Sequence, residues 1–261
     1  MKKKLLKPTS SYFLSQKFWK ILRVFTDRHT WTFLYTISQK IKINSLLSIL
    51  SYEDLTLING AKYKNSAISY KNKQKFSTYL KKYNSSKPMG NYRKYLDKLF
   101  VKIKQPRTIL EFGISEGAGI LALKDYFKHS KLWGLDIDKN TFIKDKRIKC
   151  DYCDQLKLTS IKKILKKFNT KFDLIIDDGW HHPEAQINSI ISSLPYLNNN
   201  GIYITEDINH DSYEKHFSKV IDILNNKKFK VEYRKFYIRN KSSNIAGTSS
   251  NGYLTIYRKF K

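Results

Sequence analysis

Residues 172–207 constrain the fold more than any other part of this chain, because two short apolar runs there each end in carboxylates. The runs are 174–176 and 202–204, and a helical segment and an Asn-Gly turn lie between them. Apolar runs bounded in this way are typical of parallel strands covered on both faces. Consecutive parallel strands end at the same edge of a sheet, where open α/β sheets bind ligands. The sequence therefore predicts a cluster of acids and histidines at one sheet edge.

Strand and helix patterns alternate from residue 108 onward. Strands are predicted at 108–113, 131–136, 147–151, 172–177 and 201–206, and helices at 117–128, 158–168, 184–197 and 212–226. Two more strands, 229–238 and 252–258, flank a polar loop at 240–251. This order predicts an α/β fold with a doubly wound, mostly parallel seven-stranded sheet.

The first 80 residues have a different pattern from the rest. Residues 1–50 place apolar groups at helical spacing in a basic background, which predicts an N-terminal helical extension. Such a helix can lie on an anionic membrane surface. It can also pack on the following domain or on a second subunit of a homo-oligomer, and we favour packing. Residues 51–90 predict a linker or lid, followed by a helix at 92–103. We therefore expect an extension with its linker at 1–80 and the main domain at 81–261.

The net charge of +28 suggests an anionic partner such as nucleic acid. Only eight of the 50 basic residues are Arg, whereas recognition of phosphate favours the bidentate Arg side chain. We therefore favour a solvated lysine surface and treat nucleic acid as the less favoured partner.

Neither a run of 18 apolar residues nor a signal-peptide pattern occurs in the chain. This predicts a cytoplasmic protein, with peripheral attachment at the inner membrane surface as the alternative. Cys150 and Cys153 have the spacing of a CxxC motif, but no second pair accompanies them. Two reduced thiols are therefore favoured over a zinc site.

A glycine-rich turn follows the first predicted strand. Glu111 and Gly113 end the strand, and Glu116 and Gly117 lead into a helix. The spacing G-x-x-x-G-x-G differs from the G-x-G-x-x-G of dinucleotide enzymes. Glycines let the backbone approach a ligand at the helix N-terminus, and the Glu111 carboxylate suits a cationic or hydroxyl-bearing ligand. These four residues are predicted to bind a cofactor.

Polar residues also follow the next two predicted strands. Asp136 ends the second strand, where a carboxylate can accept both hydroxyls of a ribose, and we prefer it to Asp138 for that role. Asp154 and Gln155 follow the third strand, at a position suited to the edge of an adenine ring.

This ordered set resembles the class I S-adenosylmethionine-dependent methyltransferases. The segments IIDDGWHHPEAQ and YITED resemble a family of macrolide-sugar and glycan O-methyltransferases with a DDGxHH motif. KYNSSKPMGNYRKYLDKLF and KDKRIKCDYCDQ also resemble that family, so the likeness runs from about residue 82 to 207. It implies a Rossmann-like methyltransferase sheet and S-adenosyl-L-methionine as cofactor. The implied reaction is O-methylation of a sugar hydroxyl on a glycan or glycosylated small molecule.

The resemblance also implies roles for the acidic cluster. Asp178, Glu206 and Asp207 correspond to the ligands of a divalent metal, usually Mg²⁺, and His181 corresponds to the catalytic base. Three carboxylates form a hard oxygen site suited to Mg²⁺. Such a metal lowers the pKa of a bound hydroxyl, and an imidazole can then accept its proton. Asp177 is expected near the methionine amino group of the donor.

Four neighbouring residues complete the candidate catalytic region. His182 either orients His181 or caps the helix that follows. Trp180 stands where the family usually has a small residue such as Ser, which reshapes the acceptor pocket. His210 and Asp211 are further candidates for contact with the acceptor.

Two other functions were weighed. The positive charge motivates a nucleic-acid methyltransferase, but the Asn-Pro-Pro-Tyr type of motif for amine methylation does not occur in the sequence. The basic extension at 1–50 motivates a non-catalytic scaffold associated with a membrane.

Overall fold

A computed structural model of the chain describes residues 28–53, 55, 74–87, 90–103, 105–208, 211–227, 229–239 and 248–258. The predictions for residues 1–27, for most of the linker or lid and for His210 lie outside the described residues. The predictions for the Asp211 side chain and for residues 240–247 of the polar loop also lie outside the described residues.

The described residues form a seven-stranded sheet in the order β3-β2-β1-β4-β5-β7-β6. Strands β1 to β5 are parallel, while β7 runs antiparallel to both β5 and β6. This confirms the predicted doubly wound, mostly parallel α/β sheet. The strands are β1 (Thr108–Phe112), β2 (Lys131–Asp136), β3 (Ile148–Tyr152), β4 (Phe172–Asp177), β5 (Leu197–Thr205), β6 (Phe229–Arg239) and β7 (Thr248–Arg258).

Helices cover both faces of the sheet, as buried parallel strands require. They are α1 (Arg28–Tyr52), α2 (Phe76–Lys82), α3 (Asn91–Lys102), α4 (Ala118–Tyr126), α5 (Leu158–Phe168), α6 (Pro183–Ser193) and α7 (Asp211–Asn226). One core cluster joins the sheet to α1, α5, α6 and α7, and the other joins it to α2, α3 and α4. Side chains of neighbouring residues on β1 point to opposite faces of the sheet, so Leu110 belongs to the first cluster and Ile109 to the second.

Three element boundaries differ from the sequence predictions by more than two residues. Helix α6 ends at Ser193 instead of 197, because a 3-10 turn containing Pro195 intervenes before β5. Strand β5 already begins at Leu197, which pairs with Phe172, and the register then shifts so that Ile202 pairs with Leu174. The residues expected to form a turn are therefore an irregularity inside β5. Strand β7 also begins earlier than expected, at 248, because its pairing with β6 continues that far.

Helix α1 packs against α6 and α7 of the main domain. Ile43, Leu47 and Leu50 on α1 are buried in the core, and Lys42 pairs with Glu184 at 3.5 Å. The described part of the N-terminal extension thus contributes to the same core as the sheet. No helix within the described ranges is long and apolar enough to cross a membrane. The division at residue 80 stays a prediction, although α2 spans that point.

We expect Leu50→Ala to lower the free energy of unfolding by about 2–5 kcal/mol, because a fully buried leucine leaves a cavity when truncated. Tyr52→Ala on the same helix is the matched control, since Tyr52 is 87% exposed; its effect should stay within about 0.5 kcal/mol. Urea denaturation of both variants measures the difference. Equal losses would contradict the packing of α1 on the domain.

Candidate active site

A cavity of about 390 Å³ opens at the carboxyl ends of β1 to β4. Gly113 lines it from the loop after β1, and Asp136 and Asp138 line it from the end of β2. Asp154 and Gln155 line it after β3. The structure thus brings together, around one cavity, residues that the sequence predicted for the glycine loop, the ribose and the adenine.

The glycine loop passes very close to the end of β4. Gly113 has a φ of +84°, and a Cβ added there would lie 2.3 Å from the carbonyl oxygen of Asp178. Gly117, the N-cap of α4, also has a positive φ of +85°. Only glycine fits a left-handed position with so little space. Glu116, by contrast, is exposed and does not line the cavity.

Asp136 ties the end of β2 to the glycine loop. Its Oδ2 accepts hydrogen bonds from the backbone N–H groups of Ile114 at 2.8 Å and Ser115 at 3.1 Å, and its Oδ1 accepts one from Asp138 at 2.9 Å. The predicted ribose acid therefore holds the loop in place as well as lining the cavity.

Glu111 is buried beside this loop, with only 1% of its surface exposed. A Cβ on Gly119 would lie 2.5 Å from Glu111 Oε1, while Oε2 has no hydrogen-bond partner among the described residues. Burial raises the pKa of Glu111 well above its usual range. A buried carboxyl oxygen without a partner is unfavourable, so this atom is suited to a donor group on a ligand.

Gln155, at the wall of the cavity, and Asp177 behind it belong to one hydrogen-bond network. Gln155 Nε2 donates to Asp177 Oδ1 and to Ser189 Oγ, both at 2.8 Å, and Gln155 Oε1 accepts from the Trp180 backbone at 2.8 Å. Asp177 Oδ2 accepts from the Tyr203 hydroxyl at 3.2 Å. Burial raises the pKa of Asp177 to about 6. Asp177 is not among the cavity-lining residues, and its expected contact with the donor stays a prediction.

Acidic side chains converge beyond the ends of β4 and β5. Ligand atoms of Asp178, His181 and Asp207 all lie within 4.8 Å of one another. His181 Nε2 is 3.3 Å from Asp178 Oδ1, and His181 Nδ1 is 3.8 Å from Asp207 Oδ2. Asp207 has a positive φ of 50°, an uncommon backbone conformation for a non-glycine residue. The two carboxylates at this spacing fit a divalent cation such as Mg²⁺, with the His181 imidazole beside it.

Glu206, the third predicted ligand, is buried behind this group. Its Oε2 accepts hydrogen bonds from Lys87 Nζ at 2.6 Å, from the Tyr92 hydroxyl at 3.2 Å and from the Tyr253 hydroxyl at 3.4 Å. Burial raises the pKa of Glu206 to about 7, although the Lys87 ammonium opposes that shift. Tyr92 also donates to Asp207 Oδ1 at 2.7 Å. Protein donors therefore occupy Glu206 Oε2 in this structure.

Lys87 lies between two of the predicted metal ligands. Its Nζ is 2.5 Å from Asp178 Oδ2 and 2.6 Å from Glu206 Oε2, and its side chain is only 8% exposed. Burial raises the pKa of Asp178, but the positive charges of Lys87 and His181 outweigh burial and lower it overall. The acidic cluster thus contains a cation supplied by the protein itself.

The two histidines of the DDGxHH segment have different surroundings. Burial lowers the pKa of His181, but its hydrogen bond to Asp178 and the charge of Asp207 raise it overall. His182 is the N-cap of α6, and its Nδ1 accepts from the Glu184 N–H at 3.3 Å. Of the two roles considered for His182, this contact supports capping.

Sequence analysis did not single out Lys87, Tyr92 or Tyr253. Lys87 and Tyr92 lie in the KYNSSKPMGNYRKYLDKLF segment that resembles the methyltransferase family, which was the only signal near them. Tyr253 lies on β7, which reaches the site only because that strand inserts between β5 and β6.

No protein-family model matches the chain. Among curated proteins, it is 28% identical over 111 residues to mycinamicin VI 2''-O-methyltransferase of Micromonospora griseorubida, a match covering 40% of this chain and 28% of that protein. It is 29% identical over 107 residues to demethylmacrocin O-methyltransferase of Streptomyces fradiae, a match covering 38% of this chain and 27% of that protein. The matched region therefore spans less than a third of the length of these relatives.

Among solved structures, the chain is similar to the MycE methyltransferase from the mycinamycin biosynthetic pathway in complex with Mg and SAH. The TM-score is 0.55 at 17% sequence identity, over 72% of this chain and 54% of that one. This likeness shows that the chain has a methyltransferase fold, as the sequence resemblance implied.

We expect Gly113→Ala to be at least about 2 kcal/mol more destabilising than Gly90→Ala, measured by urea denaturation. Both glycines have a positive φ, but a Cβ on Gly90 meets nothing within 4 Å, whereas one on Gly113 overlaps the end of β4. The pair therefore separates steric overlap from backbone strain. Equal losses would show that the close approach of the two loops is not tight in solution.

Proposed function

We propose that this chain is an S-adenosylmethionine-dependent O-methyltransferase that acts on a sugar hydroxyl of a glycan or glycosylated small molecule. The observation that carries the proposal is the position of Asp178, which lines the cavity and also belongs to the cluster with His181 and Asp207. A donor site and a cation site thus share one residue. The curated relatives include O-methyltransferases of mycinamicin VI, of demethylmacrocin and of 8-demethyl-8-alpha-L-rhamnosyl tetracenomycin-C, and the rhamnosyl group in the last name supports a sugar as acceptor.

The cavity suits the methyl donor in size and chemistry. Its volume of 390 Å³ is within the range of small-molecule sites. Asp136 and Asp138 offer carboxylates for the ribose hydroxyls, and Asp154 lies where the adenine is expected. Glu111 is buried beside the glycine loop and does not line the cavity, but its Oε2 has no partner among the described residues and would accept from the donor's amino group if binding opened a path to it. S-adenosylmethionine would supply a methyl group activated by the sulfonium.

The acidic cluster suits a divalent metal. Asp178 and Asp207 would hold it, with Glu206 as the third carboxylate and Mg²⁺ as the preferred ion because all three are hard oxygen ligands. A bound metal would supply Lewis acidity that lowers the pKa of the acceptor hydroxyl.

His181 is placed to remove the proton from the acceptor hydroxyl. Its side chain is 32% exposed, so the ring can reach a substrate, and its hydrogen bond to Asp178 fixes its orientation. Half-exposed Trp180, at the rim of the cavity, offers an apolar surface next to this base.

Donor binding tests the first part of this proposal. Wild-type protein is expected to bind S-adenosylmethionine in isothermal titration calorimetry, and Glu111→Gln should weaken binding about tenfold or more through loss of a charge-assisted hydrogen bond. Glu116→Gln, an exposed change on the loop that follows β1, is the matched control and should have little effect. Failure of the wild type to bind the donor would reject the function.

Metal dependence tests the second part. Asp178→Asn should abolish Mn²⁺ binding measured by calorimetry while leaving S-adenosylmethionine affinity within about threefold, since it removes the charge that a hard cation requires. Asp222→Asn, an exposed change on α7, is the control. Methyl transfer to a glycosylated acceptor should cease in excess EDTA. Undiminished transfer under those conditions would contradict a role for metal.

A further inference from the structure

Lys87 has no role in the reaction as proposed above, yet it is the basic side chain in closest contact with the acidic cluster. Its Nζ contacts Asp178 Oδ2 at 2.5 Å and Glu206 Oε2 at 2.6 Å across sequence separations of 91 and 119 residues. The Lys87–Glu206 ion pair is buried on both sides, with side chains that are 8% and 1% exposed. Lysines are rarely buried without such partners. The solvated surface that accounts for the other lysines therefore does not account for Lys87.

The backbone around Lys87 is held rigidly. Arg93, in the first turn of α3, donates from Nε and Nη2 to the Lys87 carbonyl at 3.0 and 2.8 Å, and from Nη2 to the Ser85 carbonyl at 2.8 Å. The Lys87 N–H is 3.3 Å from Ser85 Oγ. These hydrogen bonds hold the Lys87 main chain in the position from which its side chain enters the acidic cluster.

Several acidic side chains surround the Lys87 ammonium. Asp178, Glu206 and Glu111 are the acids that most strongly favour its charged form, and they keep it protonated although burial acts in the opposite direction. Asp207 adds a further carboxyl group next to Glu206. The Lys87 ammonium therefore occupies the place among these acids that a divalent cation bound to Asp178 and Glu206 would need.

The lysine and a metal ion need the same carboxylates. Mg²⁺ binds carboxylate oxygens at about 2.0–2.1 Å and requires ligands to converge on it. Glu206 cannot turn its Oε2 to a metal while Lys87 holds that atom, and two cations bound to the same carboxylates repel each other.

We propose that Lys87 is the built-in cation of this acidic cluster and competes with the divalent metal for Asp178 and Glu206. In the metal-free protein the ammonium keeps these buried acids neutralised and in position. A metal ion must displace it, which lowers the affinity of the site and keeps the metal exchangeable. This inference rests on the metal part of the proposed function and is independent of the methyl donor and of the acceptor.

Calorimetric titration of Lys87→Met with Mn²⁺ tests the competition. The variant is expected to bind Mn²⁺ at least about tenfold more tightly than wild type, because one positive charge is removed next to the ligands. Its melting temperature should be below that of wild type without metal and should rise more than that of wild type when Mn²⁺ is added. Lys82→Met is the matched control, since Lys82 forms a 2.6 Å ion pair with Asp125 on the surface; neither quantity should change.

Unchanged or weaker Mn²⁺ binding by folded Lys87→Met would overturn the competition, and weaker binding would mean that the lysine supports the ligands. If wild type and variant both fail to bind Mn²⁺, this inference and the metal part of the function fall together. Binding of S-adenosylmethionine, titrated in parallel, then shows whether the methyltransferase proposal survives without them.

A second measurement needs no variant and therefore does not depend on correct folding of a mutant. Reductive methylation of lysines in the wild-type protein, read by mass spectrometry, is expected to label Lys87 slowly without metal, because the side chain is 8% exposed. Saturating Mn²⁺ should increase that labelling as the ammonium is displaced, while labelling of Lys82 stays constant. Labelling of Lys87 that falls or stays constant with Mn²⁺ would contradict displacement.

Discussion

Buried carboxylates at the ends of two adjacent parallel strands are the constraint on which this structure depends. β4 and β5 are paired in register up to Asp177 and Thr205, so the acids that follow each strand must meet at the same edge. Burial of ionised groups is unfavourable unless partners offset it. The protein supplies those partners from distant parts of the chain: Lys87 from the segment before α3, Tyr92 from α3 and Tyr253 from β7. Tyr253 reaches the site because β7 pairs with β5.

The pattern of apolar runs and glycines was enough to predict the sheet, its helices and the cavity edge. Parallel strands are buried on both faces and therefore leave continuous apolar runs, and a left-handed turn beside a second loop leaves a glycine such as Gly113. Asp178 and Asp207 were also accessible from sequence, since their meeting depends only on the ends of consecutive strands. The direction of individual side chains could not be predicted in the same way. Asp177 and Asp178 are adjacent, but Asp177 accepts a hydrogen bond from Gln155, whereas Asp178 lines the cavity.

Partners brought in from far along the chain could not be predicted. The chain has 50 basic residues, of which eight are Arg and 42 are Lys. Nothing in the sequence around Lys87 distinguishes a buried lysine from a solvated one. The capping role of His182 likewise depends on where α6 begins, at Pro183, which local sequence fixes only within a few residues. The start of β5 was missed for a related reason: Asn and Gly favour turns locally, but pairing with β4 overrides that preference.

The contact between the glycine loop and the end of β4 has a thermodynamic consequence. The Asp178 N–H donates to the Phe112 carbonyl at 3.0 Å, and the next residue, Gly113, leaves no room for a side chain against the Asp178 carbonyl. A ligand that shifts the loop would therefore shift the backbone of the proposed metal ligand Asp178, and a bound cation would restrain the loop in return. Such coupling is reciprocal, so donor and metal would change each other's affinity by the same factor. Donor and metal would in that case bind cooperatively, whichever of the two binds first.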